Sequence, residues 1–263
     1  MSKKYSILAD ADVHPENITI WTGTHKIAYP IHKHKKAQFF YAEGGATFIM
    51  LKDKEYLLPA RHYAWIPAGM EHHFLRKHGV HPFYTLYVPE KILPPSDFYK
   101  QMGIYPVTSL LLEMILYSKS WQGVILEGSP KFQFLSTFIQ LLPELHPKSL
   151  PFSLPTTANP RLQEILRYMQ SHLGVKLTLA SVSKKFNYSE RTFSRNFKAA
   201  LGISFFQYLK MARCIRAMEM LLRTEKTVSE IAFDTGYDSI SSFSNTFVAL
   251  SGMRPKDFRE LNG

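Results

Sequence analysis

Several features that mark large classes of proteins are rare or missing in this sequence. Its 263 residues include a single cysteine, Cys214, so a disulfide-stapled secreted scaffold is excluded. No apolar run reaches the length of about 18 residues that a membrane helix needs, because Glu113 interrupts the richest stretch. Asp10 and Asp12 lie where a secretory signal peptide would need an apolar core. The glycine-rich phosphate loop, the GxSxG turn and the CxxC pair are also absent. We therefore expect a cytoplasmic protein with no membrane partner and no cofactor.

Positive charge is abundant and unevenly distributed. Residues 156–263 carry 16 Lys and Arg against nine Asp and Glu, whereas residues 1–155 carry 16 against 12. Nine of the 11 histidines lie between His14 and His81. Five prolines fall within residues 143–160, where they disfavour helix interiors and predict a semi-extended linker. The chain is long enough for two cores, and the two parts differ in composition, so we predict two domains with different purposes.

The residue spacing separates strands from helices. Aromatic and β-branched runs broken by turn signals occupy residues 18–88, a pattern that predicts an antiparallel sandwich or barrel. Helical spacing appears at 108–121 and 132–145. The predicted parts are a sheet domain at 1–95, a helical and dimerisation segment at 96–147, a linker at 148–160 and a helical domain at 161–263.

The last hundred residues contain an internal repeat. Ten positions recur with the same or a comparable residue type. At a shift of 49, Thr178, Val182, Ser183, Asn187 and Tyr188 correspond to Thr227, Ile231, Ala232, Gly236 and Tyr237. At a shift of 50, Ser189, Phe193, Ser194, Phe197 and Gly202 correspond to Ser239, Phe243, Ser244, Phe247 and Gly252. Each copy, 178–201 and 227–250, reads as two helices joined by a tight turn. Thr227 with Glu230 forms a capping box, and Asn187 and Gly236 tolerate a left-handed turn. Residues 204–223 contain no glycine or proline, which predicts one long spacer helix between the copies.

The second helix of each copy carries the residues that could contact a partner. At 100° per residue Phe193 and Phe197 share one face, while Arg191, Arg195 and Lys198 lie opposite. Such an edge can enter the major groove, where Arg pairs with guanine and Asn with adenine. A merely solvated face is the alternative for any single helix. The duplication favours DNA binding.

The C-terminal domain resembles the AraC-type (AraC/XylS) transcriptional regulators over residues 179–260. The match rests on the stretches Tyr188-Ser-Glu-Arg-Thr-Phe-Ser-Arg-Asn-Phe-Lys198, Leu201-Gly202, Ile231-Ala-Phe-Asp-Thr-Gly-Tyr237 and Ser242-Phe-Ser-Asn-Thr-Phe247. The resemblance implies two helix-turn-helix motifs and double-stranded DNA as a partner, with RNA polymerase as another if the protein activates. The DNA-binding candidates it implies are Arg191, Ser194, Arg195, Lys198, Ser241, Ser242 and Asn245. A basic residue often stands where this chain has Asn245, so the two copies are expected to contribute unequally.

The N-terminal domain resembles cupin barrels in two short motifs. These are His32-Lys33-His34 with Gln38 four residues on, and Pro67-Ala-Gly-Met-Glu-His72. The resemblance implies an effector sensor in which His32, His34, Gln38, Trp65 and His72 line a pocket for a small molecule. In metal-binding cupins a glutamate stands at the position of Gln38, so we predict no metal here. Two alternatives remain open: a packed barrel with structural histidines, and an ion held by His32, His34, Gln38 and His72.

The resulting prediction is an α+β protein of two domains. An antiparallel cupin-like β-barrel followed by helices precedes an all-α double helix-turn-helix domain. We predict a sequence-specific DNA-binding transcription regulator, not an enzyme, controlled by a small-molecule effector in the barrel and able to form a homodimer. The alternative functions are a metal-dependent cupin enzyme fused to a DNA-binding module, and an architectural DNA binder without a ligand.

Overall fold

The computed structural model describes residues 11–24, 30–44, 46–75, 82–145 and 148–262. Asp10 and Pro147, both used in the sequence predictions, lie outside these ranges. The chain divides into two compact units. The first comprises Met1–Phe48 and Leu58–Leu150, and the second comprises Ile49–Leu57 and Pro151–Gly263. Among the described residues, no helix combines the length and the apolar character that crossing a bilayer requires.

The described residues contain ten strands in two sheets. They are β1 (Ile18–Gly23), β2 (Ala37–Ala42), β3 (Ala46–Met50), β4 (Lys54–Pro59), β5 (His62–Ile66), β6 (His73–Leu75), β7 (Phe83–Val88), β8 (Gly103–Pro106), β9 (Gly123–Ile125) and β10 (Ser153–Pro155). The larger sheet has the order β8-β5-β2-β7-β1-β9, and its ladders are antiparallel. The smaller has the order β10-β4-β3-β6.

The closed barrel expected from the sequence is corrected by this topology. A barrel needs hydrogen bonds between the end strands of one continuous sheet. Here the larger sheet ends in β8 and β9 and the smaller in β10 and β6, each only three or four residues long. Strands this short give too little ladder to join one edge to another. The described strands of the N-terminal region therefore form two open antiparallel sheets.

The first unit places its main core on one face of the larger sheet. Two helices, α1 (Ser109–Ser118) and α2 (Pro130–Leu145), supply Leu111 and Phe138 to the same cluster as Phe39 and Trp65. Phe39 stacks on Tyr63 with ring centroids 4.7 Å apart. Because side chains alternate across a strand, the neighbours of Phe39 on β2, including Gln38, point to the opposite face. The core face is thus helix-covered, and the other face is available for a separate polar site.

The second unit is mainly helical. Its helices are α3 (Pro160–Ser171), α4 (Leu179–Lys185), α5 (Glu190–Leu201), α6 (Phe205–Arg223), α7 (Val228–Asp234), α8 (Ile240–Ser251) and α9 (Pro255–Asn262). The unit also contains the end of the β3–β4 hairpin, since β10 pairs with β4 in the register Ser153↔Tyr56 and Leu154↔Glu55. Part of the proline-rich linker is therefore a sheet edge, a position that tolerates the proline at its end.

The capping box predicted at Thr227 and the two predicted turn residues are confirmed, and further caps begin the neighbouring helices. Capping boxes begin α6 and α7, and Ser189 and Ser239 accept backbone hydrogen bonds at the starts of α5 and α8. Asn187 and Gly236 adopt φ angles of +57° and +84° in the two turns. Helices α5 and α8 have the same length of 12 residues, and each ends at a left-handed glycine. The two copies therefore share their local construction from cap to cap.

Arg213 of the spacer helix α6 joins the two copies. Its guanidinium donates hydrogen bonds to the carbonyl oxygens of Leu173 (3.2 Å) and Val175 (3.1 Å), in the segment before α4. It also lies 5.8 Å from the ring centroid of Tyr237, in the turn between α7 and α8. Gly236 sits against this joint, since a Cβ there would overlap the Leu173 carbonyl and the Arg213 guanidinium. One side chain thus ties the segment before the first copy and the turn of the second copy to the spacer helix.

We expect Gly236→Ala to destabilise the protein more than a comparable change at Gly252. Both glycines have a left-handed φ, which costs an alanine about 1–2 kcal/mol. Only at Gly236 would the added Cβ also overlap the Arg213 side chain, whereas a Cβ at Gly252 would meet open space. Urea unfolding of the two variants should show a loss at least twice as large for Gly236→Ala. Equal losses would mean that the close approach at Arg213 contributes nothing.

Candidate DNA interface and histidine cluster

Helix α5 separates apolar anchors from cations. Phe193 and Phe197 are fully buried, while the side chains of Arg191, Arg195 and Lys198 are exposed. Within the described part of the chain, none of these three cations has an ion-pair partner. The predicted orientation of the helix is therefore confirmed, and its charged edge remains available to an anionic partner.

Helix α8 repeats the arrangement without the charge. Phe243 and Phe247 are buried at the equivalent positions, and Ser241, Ser242 and Asn245 are exposed. The helix contains no charged residue. Hydroxyl and amide groups can read base edges, but they do not neutralise phosphates. The predicted asymmetry between the two copies thus appears in their exposed faces.

A second group of residues converges in the first unit, on the face of the larger sheet opposite Trp65. His32 and His72 form an antiparallel bridge with backbone hydrogen bonds of 3.0 and 2.9 Å. His34 lies beside them, and ligand atoms of all three histidines fall within 4.8 Å of one another. His34, Gln38 and His72 are 3%, 2% and 1% exposed and His32 is half-buried, so the cluster is largely buried. We call these four residues the histidine cluster.

Gln38 lies at the centre of the cluster. Its Oε1 is 3.1 Å from Nε2 of His34 and 3.1 Å from Nε2 of His72. Its Nε2 donates to the hydroxyl of Thr85 at 2.9 Å, and that hydroxyl donates in turn to the carbonyl of Phe39. The amide therefore connects the two imidazoles to the Thr85 hydroxyl.

Residues 182–261 match the family described as a helix-turn-helix domain. The chain is 23% identical over 236 residues to the HTH-type transcriptional regulator NimR of Escherichia coli strain K12, spanning 90% of this chain and 84% of NimR. It is 30% identical over 123 residues to the HTH-type transcriptional activator RhaS of Escherichia coli O139:H28, spanning 47% and 44%. The C-terminal domain of AraT, a response regulator from Geobacillus stearothermophilus, is 36% identical over 40% of this chain and 88% of that chain, with a TM-score of 0.39.

These matches place the helix-turn-helix family on the residues that form the repeat. The chain is a transcriptional regulator with an AraC-type DNA-binding domain. The alternative function, a metal-dependent cupin enzyme fused to a DNA-binding module, is set aside because the matched relatives are named as transcriptional regulators. DNA is accordingly the partner of the second unit of this regulator.

Burial controls the charge of the histidine cluster in the regulator. Loss of hydration lowers the pKa of His72 to about 3, and it lowers the pKa values of His32 and His34 below their ordinary range. Hydrogen bonds from each ring to a backbone carbonyl oppose this shift, but burial outweighs them. The three imidazoles are therefore neutral at pH 7.

The structure brings together four of the five predicted effector residues and separates the fifth. Trp65 is fully buried on the helix-covered face, where its Nε1 donates to the carbonyl of Tyr99. It pairs in register with Phe39, not with Gln38, so it points away from the histidine cluster. Its assignment to the pocket is corrected accordingly. Thr85, which sequence reasoning missed, contacts Gln38 instead.

We expect acid to destabilise the regulator through these histidines. Below the ordinary histidine pKa of 6.5 the unfolded chain takes up protons that the folded cluster excludes, so the free energy of unfolding falls between about pH 6.5 and 3. Each excluded proton contributes a slope of about 1.4 kcal/mol per pH unit. Urea unfolding at pH 7 and pH 5, in the presence of a chelator, measures how the free energy of unfolding depends on pH. This dependence should be shallower for His72→Gln than for the wild type. His172→Gln, a surface control in the second unit, should keep the wild-type slope, and an equal slope in all three proteins would contradict the assignment.

Proposed function

We propose that the regulator reads two successive major-groove segments of its operator with α5 and α8, under control of an effector bound in the first unit. The observation that carries the first part is the equivalence of the two helices. Each is 12 residues long between a serine cap and a glycine, with two phenylalanines buried and a polar edge exposed. Two such helices, one DNA turn or about 34 Å apart, suit one face of a duplex.

The two helices are proposed to contribute differently to DNA binding. Arg191, Ser194 and Arg195 on α5 are proposed to contact bases, and Ser194 is half-buried where the other two are exposed. Arginine is suited to guanine because its two parallel donors match O6 and N7. Ser241, Ser242 and Asn245 on α8 are proposed to read bases without adding charge. Affinity then comes mainly from the first copy, and the second refines the choice of sequence.

Exposed lysines complete the interface. Lys198 on α5 is joined by Lys184 and Lys185 at the end of α4 and by Lys210 on α6, all with exposed side chains. Contacts from such lysines to phosphates raise affinity for every sequence and make it depend on salt. We assign them to the DNA backbone for this reason.

Control by an effector is proposed for the histidine cluster. His32, His34, Gln38 and His72 are polar groups gathered at a buried position, which is the usual construction of a small-ligand site. A ligand there can regulate DNA binding only if it binds one state of the protein more tightly than another. If the protein activates, as the name of the relative RhaS suggests by analogy, RNA polymerase becomes a further partner.

Dimerisation is proposed for the helical face of the first unit. Leu110, Leu116 and Tyr117 on α1 are 51%, 45% and 66% exposed. Tyr117 packs edge-to-face against Trp121 and at a tilt against Phe134, with centroid distances of 5.3 and 5.2 Å, so the exposed ring belongs to a larger aromatic surface. A homodimer would cover this surface.

Substitutions on α5 should separate base reading from phosphate binding. Arg195→Ala is expected to cost about 1–3 kcal/mol on the preferred duplex and to relax the preference at one base pair. Lys198→Ala should weaken binding to all duplexes and lower the slope of log affinity against log salt by about one. Fluorescence anisotropy on a selected duplex and on single-base variants, over a range of salt concentrations, measures both effects.

Lys100→Ala in the first unit serves as the control for loss of a positive charge. Its ammonium group is exposed and pairs with Asp97, so its removal should leave the DNA affinity unchanged. If Arg195→Ala kept the full sequence preference of the wild type, Arg195 would be removed from the set of reading residues.

A charge placed on the aromatic surface should prevent dimerisation. Light scattering at micromolar concentration is expected to show a dimer for the wild type and a monomer for Tyr117→Lys, because an ammonium group would be buried in the interface. Gln140→Lys is the control: it adds the same charge at an exposed position of α2 rather than α1, and this variant should remain dimeric. A monomeric wild type, with and without DNA, would contradict this assignment.

A further inference from the structure

We propose that Ile240 and Val248 on α8 recognise the methyl groups of thymines, so that the operator segment contacted by α8 consists of A·T base pairs. This inference rests on the proposed function, because it names the bases that α8 would contact in the major groove. The observation behind it is the exposure of two branched alkyl side chains on this helix. Ile240 is 43% exposed and Val248 is 39% exposed.

The first copy of the repeat has charged residues at the equivalent positions. At a shift of 50 residues, Ile240 corresponds to Glu190, the first residue of α5, and Val248 corresponds to Lys198 in its last turn. A glutamate in the first turn and a lysine in the last turn both stabilise a helix through its dipole. Isoleucine and valine also have lower helix propensities than glutamate and lysine. Helix α8 therefore carries alkyl groups where charged residues would make the helix itself more stable.

Packing within the second unit does not account for these alkyl groups. The contribution of α8 to the core comes from Phe243 and Phe247, which are fully buried. Ile240 and Val248 each keep more than a third of their surface in contact with solvent. A single exposed alkyl side chain is common on protein surfaces. Two exchanges of charge for an alkyl group on one reading helix indicate instead a partner surface with apolar groups.

Both side chains lie where α8 would face the bases. Ser241, Asn245 and Val248 are spaced by four and then three residues, so they form one line along the helix. Ile240 is the first residue of α8, and the N-terminal residues of a reading helix approach the base edges. A lysine at the position of Val248 would extend past the bases to a phosphate, whereas a valine contacts only a group directly opposite the helix.

Thymine is the base that offers an apolar group in the major groove. Its C5 methyl lies on the groove edge, whereas the other three bases present hydrogen-bond donors and acceptors there. An alkyl side chain placed against a donor or acceptor would displace the water that satisfies it, which costs free energy. An A·T pair also suits Asn245, because adenine offers N6 and N7 to an amide. The chemistry of α8 therefore selects A·T pairs, while the arginines of α5 suit guanine.

Replacement of thymidine by deoxyuridine tests the contact without changing the protein. Deoxyuridine keeps the hydrogen-bonding groups of thymidine and lacks only the C5 methyl. A duplex selected by the full-length protein is prepared with deoxyuridine in the α5 segment, in the α8 segment or in the flanks. The α5 segment is the one in which Arg195→Ala relaxes the sequence preference. Fluorescence anisotropy should show about a fourfold loss of affinity for each contacted methyl removed from the α8 segment, and no loss for the flanks.

Substitutions in α8 assign each methyl group to one side chain. Ile240→Ala and Val248→Ala should each bind the thymine duplex about fourfold more weakly and should no longer respond to deoxyuridine at the base pair that the missing side chain contacted. Val248→Lys restores the residue type of the first copy. This variant should bind all duplexes more tightly, steepen the slope of log affinity against log salt by about one, and lose the response to deoxyuridine.

Val175→Ala is the matched control. Val175 is 53% exposed in the same unit and lies outside both reading helices, so its truncation should change neither the affinity nor the response to deoxyuridine. If a variant of α8 fails to fold by circular dichroism, the deoxyuridine duplexes still decide the question with the wild-type protein.

The outcomes separate this inference from the proposed function. Specific binding that is unchanged by deoxyuridine in the α8 segment, or an α8 segment made of G·C pairs, overturns the inference and leaves reading by two helices intact. A deoxyuridine effect of equal size in the flanks, or one that persists in both Ile240→Ala and Val248→Ala, also overturns it. Absence of any sequence-specific binding contradicts the proposed function, and the inference falls with it.

Discussion

The contacts of Arg213 set the geometry on which the DNA-binding unit depends. Two reading helices are useful only if their separation is fixed, because the grooves of a duplex are spaced rigidly. Helix α6 supplies the separation, and Arg213 ties the turn of the second copy and the segment before the first to that helix. Gly236 is the residue that leaves room for this approach. If α5 and α8 read DNA as proposed, a small change around Arg213 and Gly236 would alter the preferred operator spacing without changing either helix surface.

The first unit depends on a different constraint, the balance of hydrogen-bond donors and acceptors around Gln38. Burial removes most of the water that would otherwise satisfy the imidazoles, and the Gln38 amide connects two of them to the Thr85 hydroxyl. The face that holds the histidine cluster and the face that holds Trp65 belong to the same sheet. The hydrophobic core and the polar cluster therefore occupy opposite faces of one sheet.

The helix-turn-helix repeat could be predicted in detail because its signals are local. Capping residues, left-handed turn residues and two phenylalanines four positions apart fix each helix without reference to distant parts of the chain. The position of Trp65 could not be predicted in the same way, because the face it occupies depends on which residue of β2 it pairs with. The strand Ser153–Pro155 was missed for a related reason, since its proline content indicates a linker and only its pairing with β4 makes it a strand. The role of Thr85 likewise required the register between β2 and β7, which pairs Phe40 with Thr85.

The central claim is that α5 and α8 present their exposed edges to successive major grooves on one side of a duplex. Hydroxyl-radical footprinting combined with guanine-methylation interference, on a duplex selected by the full-length protein, tests it most directly. The account predicts two windows of interference centred about one helical turn apart on the same face, with Arg195→Ala erasing contacts in only one of them. A single window, or two windows on opposite faces of the duplex, would contradict it.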